Sequence, residues 1–134
     1  MSTVSTTVLN VLAASYLGTG SPATLYARFF IGASTGLTGG TEATGGSYAA
    51  VAVTNNTVNF PAPTNGVITL DANIATPRST AAWGTINCVR FYDAATGGYL
   101  RLGAMLSPTV SVDATGITIT IEAGSLTFTV ASSA

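Results

Sequence analysis

Two short segments constrain the fold more than anything else in the chain. Ile117-Thr118-Ile119-Thr120-Ile121 and Leu126-Thr127-Phe128-Thr129-Val130 alternate apolar side chains with Thr without a break. A period of two sorts the two classes onto opposite faces of an extended chain, whereas a helix would spread both around its axis. Every residue in the first run is β-branched, a shape that suits a pleated surface. The segments 116–121 and 125–130 are therefore expected as strands, with Ile117, Ile119 and Ile121 facing one way and Leu126, Phe128 and Val130 lining the next strand.

The same pattern, cut by Gly- and Asn-rich turns, predicts strands over 23–32, 48–54, 67–70, 84–92, 98–106 and 109–112, with a short extended piece around 58–60. Pro61 and Pro63 end that piece. Residues 33–47, with five glycines, read as a long loop, and 71–81 are poorly patterned. Only the beginning looks helical. Val8, Leu12 and Tyr16 recur at i, i+4, i+8, Ser5 or Thr6 can cap, and Gly18, Gly20 and Pro22 stop the run, which predicts a short helix over about residues 6–17. About eight short strands in a single domain spanning 1–134 suggest an all-β sandwich or jelly roll.

The clearest hairpin runs through Asp93-Ala94-Ala95-Thr96-Gly97-Gly98. With that loop, Tyr92 is expected opposite Tyr99, Phe91 opposite Leu100, Arg90 opposite Arg101 and Val89 opposite Leu102. Val89, Phe91, Leu100 and Leu102 then share a core face, and Tyr92, Tyr99, Arg90 and Arg101 share the other. Two arginines facing each other repel unless something compensates them. A partner protein's carboxylate or carbonyl is one candidate, since Tyr and Arg are favoured at interface hot spots. Asp93, Asp113 or a loop carbonyl within the chain is the other. Arg28 shares a strand face with Tyr26, a similar pairing. The candidate protein-interface residues are thus Arg90, Arg101, Tyr92, Tyr99, Arg28 and Tyr26.

Charge then narrows the function. The 134 residues carry four Arg, five Asp/Glu, no Lys and no His. An average domain of this length carries roughly 33 charged residues. A folded monomer of this size exposes roughly 6,500 Å², and so sparse a charge is a poor guard against association. The chain reads as part of an assembly. Four scattered Arg cannot neutralise many phosphates, so nucleic acid is not an expected partner. No apolar run has the length of a membrane span, so no membrane role is expected. Without His there is no Ser-His-Asp or Cys-His catalysis, and without Lys no P-loop or Schiff base. One cysteine, Cys88, makes neither an intrachain disulfide nor a zinc site. The carboxylates Glu42, Asp71, Asp93, Asp113 and Glu122 lie apart in sequence. Neither an enzyme nor a cofactor or metal protein is expected. Asn55-Asn56-Thr57 fits a glycosylation sequon, a motif short enough to recur by chance.

Several ordered motifs carry a resemblance. They are Thr24-Leu25-Tyr26-Ala27-Arg28-Phe29-Phe30, then Gly39-Gly40-Thr41-Glu42 and Gly45-Gly46-Ser47-Tyr48-Ala49. Ala82-Trp83-Gly84-Thr85-Ile86, Phe91-Tyr92-Asp93-Ala94-Ala95-Thr96-Gly97-Gly98 and Ala123-Gly124-Ser125-Leu126-Thr127-Phe128-Thr129 follow. In this order, from about 24 to 130, the chain resembles small virion proteins of tailed bacteriophages, often labelled tail fibre proteins. Related chains look like capsid decoration or cement proteins. The segment 71–81 departs from the pattern. The resemblance implies a structural protein made in the bacterial host cytoplasm and placed on the outer capsid surface. It implies a homotrimer bound to the major capsid protein lattice, with no catalytic residues. The alternative it implies is a tail fibre or tail-tip protein that binds a host surface receptor. Trp83, Gly84, Tyr48 and Gly98 read as packing and turn residues, with Trp83 a core anchor.

Overall fold

A computed structural model of the chain describes residues 18, 20, 22–35 and 37–129. The helix expected over 6–17 lies outside the described residues. The described chain is all-β and antiparallel, with nine strands. These are β1 (Thr24–Ser34), β2 (Gly39–Glu42), β3 (Val51–Thr54), β4 (Val67–Thr69), β5 (Ile74–Ala75), β6 (Gly84–Tyr92), β7 (Leu100–Val112), β8 (Thr120–Ile121) and β9 (Thr127–Thr129). The chain divides into two compact units. One holds Leu25–Val53 and Ile74–Thr120, the other Thr54–Asn73 with the described residues before 25 and from Ile121 on.

The larger unit is built on a sheet ordered β2-β1-β6-β7, with β3 also pairing β1. Its spine is the β1–β6 pair, in the register Tyr26↔Tyr92, Ala27↔Phe91, Arg28↔Arg90, Phe29↔Val89 and Phe30↔Cys88. Leu25, Ala27, Phe29, Val89 and Phe91 make one face fully buried, as the alternation predicts. The opposite face is covered as well, because Arg28, Phe30, Cys88 and Arg90 are also buried. Four consecutive buried residues on each strand mark a doubly covered spine, a pattern more usual in parallel sheets.

The structure corrects the glycine-rich loop. Within 33–47 lies a strand, β2, paired with β1 through Phe30↔Glu42, Ile31↔Thr41 and Ser34↔Gly39 with a register shift. Gly39 and Gly40 sit at φ +74° and +71°, and a Cβ on either would press on the Ala33 or Ile31 carbonyl oxygen. Here glycine permits close backbone approach at a bulge rather than floppiness.

A second correction concerns β7, which joins the separate segments 98–106 and 109–112. Ile86 pairs with Val110 and Cys88 with Met105, so residues 106–109 bulge out opposite Asn87. Pro108 falls in that bulge, where its missing N–H costs no ladder bond.

The expected strand 116–121 is mostly replaced by a mixed ladder. Thr76 N–H donates to the Ile119 carbonyl (3.0 Å) and Ser79 N–H to the Ile117 carbonyl (2.8 Å). In return Ile119 N–H donates to Thr76 Oγ1 and Ile117 N–H to Ser79 Oγ, each at 2.9 Å. Buried hydroxyls thus stand in for half of the backbone acceptors. The segment 71–81 looked unpatterned because its own Thr76 and Ser79 hydroxyls do part of the pairing.

In the smaller unit β9 pairs with β4, as Val67↔Thr129, Ile68↔Phe128 and Thr69↔Thr127. The strand β8 pairs not with β9 but with β5. The two clean C-terminal alternations are therefore not partners of each other. Asn65 and Gly66 close a tight turn, with mutual 2.9 Å bonds between Thr64 and Val67 and φ of +52° and +76°. These are the backbone angles that favour Asn-Gly in two-residue hairpins. Asn55 of the sequon is buried, and its side chain accepts from Gly18 N–H (2.6 Å) and donates to the Pro22 carbonyl (3.0 Å). It is a structural amide.

Candidate interaction surface

The hairpin register differs from the expected one. Asp93 N–H donates to the Tyr99 carbonyl (3.2 Å), and Tyr99 N–H donates to Asp93 Oδ1 (2.7 Å). This closes the loop so that Tyr92 meets Leu100, not Tyr99. A register shift follows, after which Phe91 meets Leu102, Arg90 meets Gly103 and Val89 meets Ala104. Arg101 is the extra residue of the bulge, and its Nη2 turns back to Asp93 Oδ2 at 3.4 Å. Arg90 therefore does not face Arg101. The like-charged pair exists elsewhere, with Arg28 opposite Arg90 across β1 and β6.

What compensates that pair lies within the same unit. Arg28 donates from Nε (3.0 Å) and Nη2 (2.6 Å) to Glu42 Oε1, and from Nη1 to the Gly97 carbonyl at 2.7 Å. The second carboxylate oxygen of Glu42 accepts from the Tyr48 hydroxyl (2.8 Å), which itself accepts from Phe29 N–H at 2.9 Å. Arg90 Nη2 donates to the Gly39 carbonyl at 2.8 Å. The flat groups stack: Arg28 lies 3.9 Å from the Tyr92 ring centroid and Arg90 4.1 Å from that of Phe30. Phe30 and Tyr92 stack at 6.2 Å and 20°. The contacts run Arg28–Tyr92–Phe30–Arg90 in one series. Desolvated cation–π contacts contribute up to about 2 kcal/mol each.

The electrostatics follow this geometry. Hydrogen bonding to Glu42 holds the Arg28 guanidinium above its ordinary pKa, against the opposing effect of burial. Burial pushes the Tyr48 phenol well above its usual range, and donation to Glu42 adds to that, while the bond from Phe29 N–H works the other way. Trp83 closes the cluster from the side, with Nε1 donating to the Gly46 carbonyl (2.8 Å) and its ring edge-on to Tyr48 at 5.3 Å. It is 3 % exposed, a packing anchor.

The six residues proposed from sequence thus separate into two groups. Arg28 and Arg90 are buried, at 9 % and 4 % exposure, and Tyr26 and Tyr92 are half-buried along the same face. At the hairpin tip Tyr99 is 78 % exposed and the Arg101 side chain 44 %. Sequence reasoning missed Glu42, the carboxylate that neutralises Arg28, and Tyr48, the neutral phenol that donates to Glu42. The available signal was Glu42 itself, the one carboxylate in the segment read as loop. Among the described residues, no three His, Cys, Asp or Glu side chains come together as a metal site, and no helix is long and apolar enough to cross a membrane.

An antiparallel β-protein with a buried Arg–aromatic series and an exposed aromatic hairpin tip presents surfaces for contact. No curated protein matches the chain. A family model does match, over residues 2–129, and its description is podophage GP4 fiber I protein gp80. The chain belongs to this Gp80 family of tailed-phage fibre proteins and is a structural protein of the virion.

Proposed function

We propose that this protein is a docking component that does no chemistry, a capsid decoration (cement) protein. It binds the outer surface of the major capsid protein lattice as a homotrimer and stabilises the shell against internal pressure. One observation carries the reading: the molecule withdraws much of its little charge from solvent. Of nine charged side chains, Arg28, Glu42 and Arg90 are engaged within the fold, which leaves six over 6917 Å² of surface. Neutral Thr-, Ala- and Gly-rich surface is cheap to desolvate against another protein, because few ions must be stripped of water.

A second reading is favoured by the family's description as a fibre protein. In it the chain is a tail fibre or tail-tip component that binds a host surface receptor. Both readings need a docking surface and no catalytic group, and they differ in copy number and place. Quantitative mass spectrometry of purified particles, with antibody-fragment labelling in electron micrographs, separates them. Hundreds of copies over the head support decoration, and a handful at the tail supports the fibre. Particles lacking the protein are then heated alongside complete ones. A lowered temperature of genome release is the expected result, and equal temperatures count against stabilisation of the shell.

A further inference from the structure

The β6–β7 tip carries more internal restraint than its exposure requires. Asp93 bonds twice to Tyr99 through backbone and side chain, Arg101 returns to Asp93, and the buried cation Arg28 holds the Gly97 carbonyl. Gly97 and Gly98 take φ of +62° and +70°, and a Cβ at Gly98 would collide with the Asp93 carboxylate. This restrained loop displays Tyr99 with 78 % of its surface in water. A rigid aromatic loses little entropy when it binds, which is how such side chains become interface anchors. Beside it Arg101 keeps donors free of its single long bond to Asp93.

We infer that this tip, residues 93–101, is a pre-set docking knob: the Tyr99 ring enters an apolar pocket on another protein of the particle, and Arg101 donates to carbonyl or carboxylate oxygens at the rim. The inference rests on the docking reading above and names its contact. A protein pocket fits the tip better than a glycan does. Sugar sites pair a stacking ring with an accessible carboxylate or amide acceptor for hydroxyls, whereas the Asp93 side chain is only 18 % exposed and its oxygens face Tyr99 N–H and Arg101 Nη2 within the loop. Arg28, Arg90 and Tyr92 serve behind the knob as positioning residues, through Gly97 and the stacked series.

The test is equilibrium co-sedimentation of the full chain with particles that lack it. Tyr99→Ala is expected to weaken binding by about thirty-fold or more, as truncating an anchor does. Arg101→Gln should weaken it by roughly three- to ten-fold. Val58→Ala, at a side chain 72 % exposed, serves as the exposure-matched control and should stay within about two-fold. Thermal unfolding of each variant should match the parent, which ties any loss to contact and not to folding. If Tyr99→Ala binds particles as well as the parent, the knob is overturned while docking elsewhere stands. If the parent itself does not bind, both readings fall. If Tyr99→Ala keeps particle binding but loses binding to purified host-surface polysaccharide, the tip belongs to a glycan and the inference is wrong.

Discussion

At the scale of single residues, the fold places two cations opposite each other in a buried sheet and surrounds them with compensation. Among the described residues, Glu42 is the carboxylate that pairs with Arg28. Glu42→Gln would leave a buried guanidinium facing Arg90 with no counter-ion. Removing one partner of a buried pair costs up to 3–5 kcal/mol, and partial exposure of Glu42 brings the expected loss to about 2–3 kcal/mol. In a domain of this size that lowers the Tm by roughly 6–10 °C. Asp113→Asn, at an exposed side chain, should change the Tm by no more than about 2 °C. Equal melting of the two variants would show that Glu42 does not hold the pair. Tyr48 adds a pH signature. Its pKa is raised in the fold by burial, so the unfolded chain ionises first as pH climbs past roughly 10. The stability is full below that pH and falls as pH rises toward the folded value. No Lys or His titrates nearby to mask it. Tyr48→Phe should lower stability near neutrality, by orphaning Phe29 N–H, yet show a shallower decline of Tm between pH 10 and 12. Parallel alkaline slopes for the two proteins would refute the assignment.

At the scale of elements, the long alternating strands were legible in sequence, and the elements defined by backbone approach or side-chain pairing were not. β6 has the bounds its hydrophobic pattern implies, and β1 runs two residues beyond them. β2 was hidden because Gly-Gly-Thr-Glu has no apolar face; its reason for existing is the close fit of Gly39 and Gly40 against β1. The hairpin register was hidden because one aspartate caps the loop and expels Arg101 into a bulge. That slip parts Arg101 from Arg90, while Arg28 and Arg90 face each other across β1 and β6 and are buried against Glu42, Gly39 and the Tyr92 and Phe30 rings. Two substitutions test these readings. Gly40→Ala places a Cβ 2.7 Å from the Ile31 carbonyl oxygen at φ +71°, whereas Gly97→Ala at φ +62° meets nothing within 4 Å. Gly97→Ala should therefore cost about 1 kcal/mol of left-handed strain, and Gly40→Ala at least about 1 kcal/mol more from the added clash. Denaturant midpoints measure both, and equal losses would show β2 to be a loose loop after all. Ser79→Ala strips the acceptor of Ile117 N–H and the donor to the Ala114 carbonyl. Two orphaned groups at a buried position predict a loss of about 2 kcal/mol or more.

At the scale of the whole molecule, the scarcity of charge becomes an argument about how the protein associates. Three charged groups are engaged inside, and two of the remaining six, Asp93 and Arg101, already pair with each other. Such a molecule has little long-range field with which to steer a partner, so its encounter rate should be that of a neutral pair. Arg101 in the proposed knob acts only at contact distance, where salt screens it weakly once water is excluded. The affinity for particles should then rest on desolvated neutral surface and the Tyr99 anchor. Raising NaCl from 50 to 500 mM, where the Debye length shrinks from roughly 14 to 4 Å, should change the Kd by less than about three-fold. Stronger kosmotropic salt such as sulfate should tighten binding, because it favours burial of apolar surface. A loss of binding of ten-fold or more over that NaCl range would mean that docking is electrostatic, carried by the few exposed carboxylates and arginines. In that case the neutral surface would be only a route to solubility through Thr hydroxyls, and the reading of this protein as a charge-independent docking unit would fail.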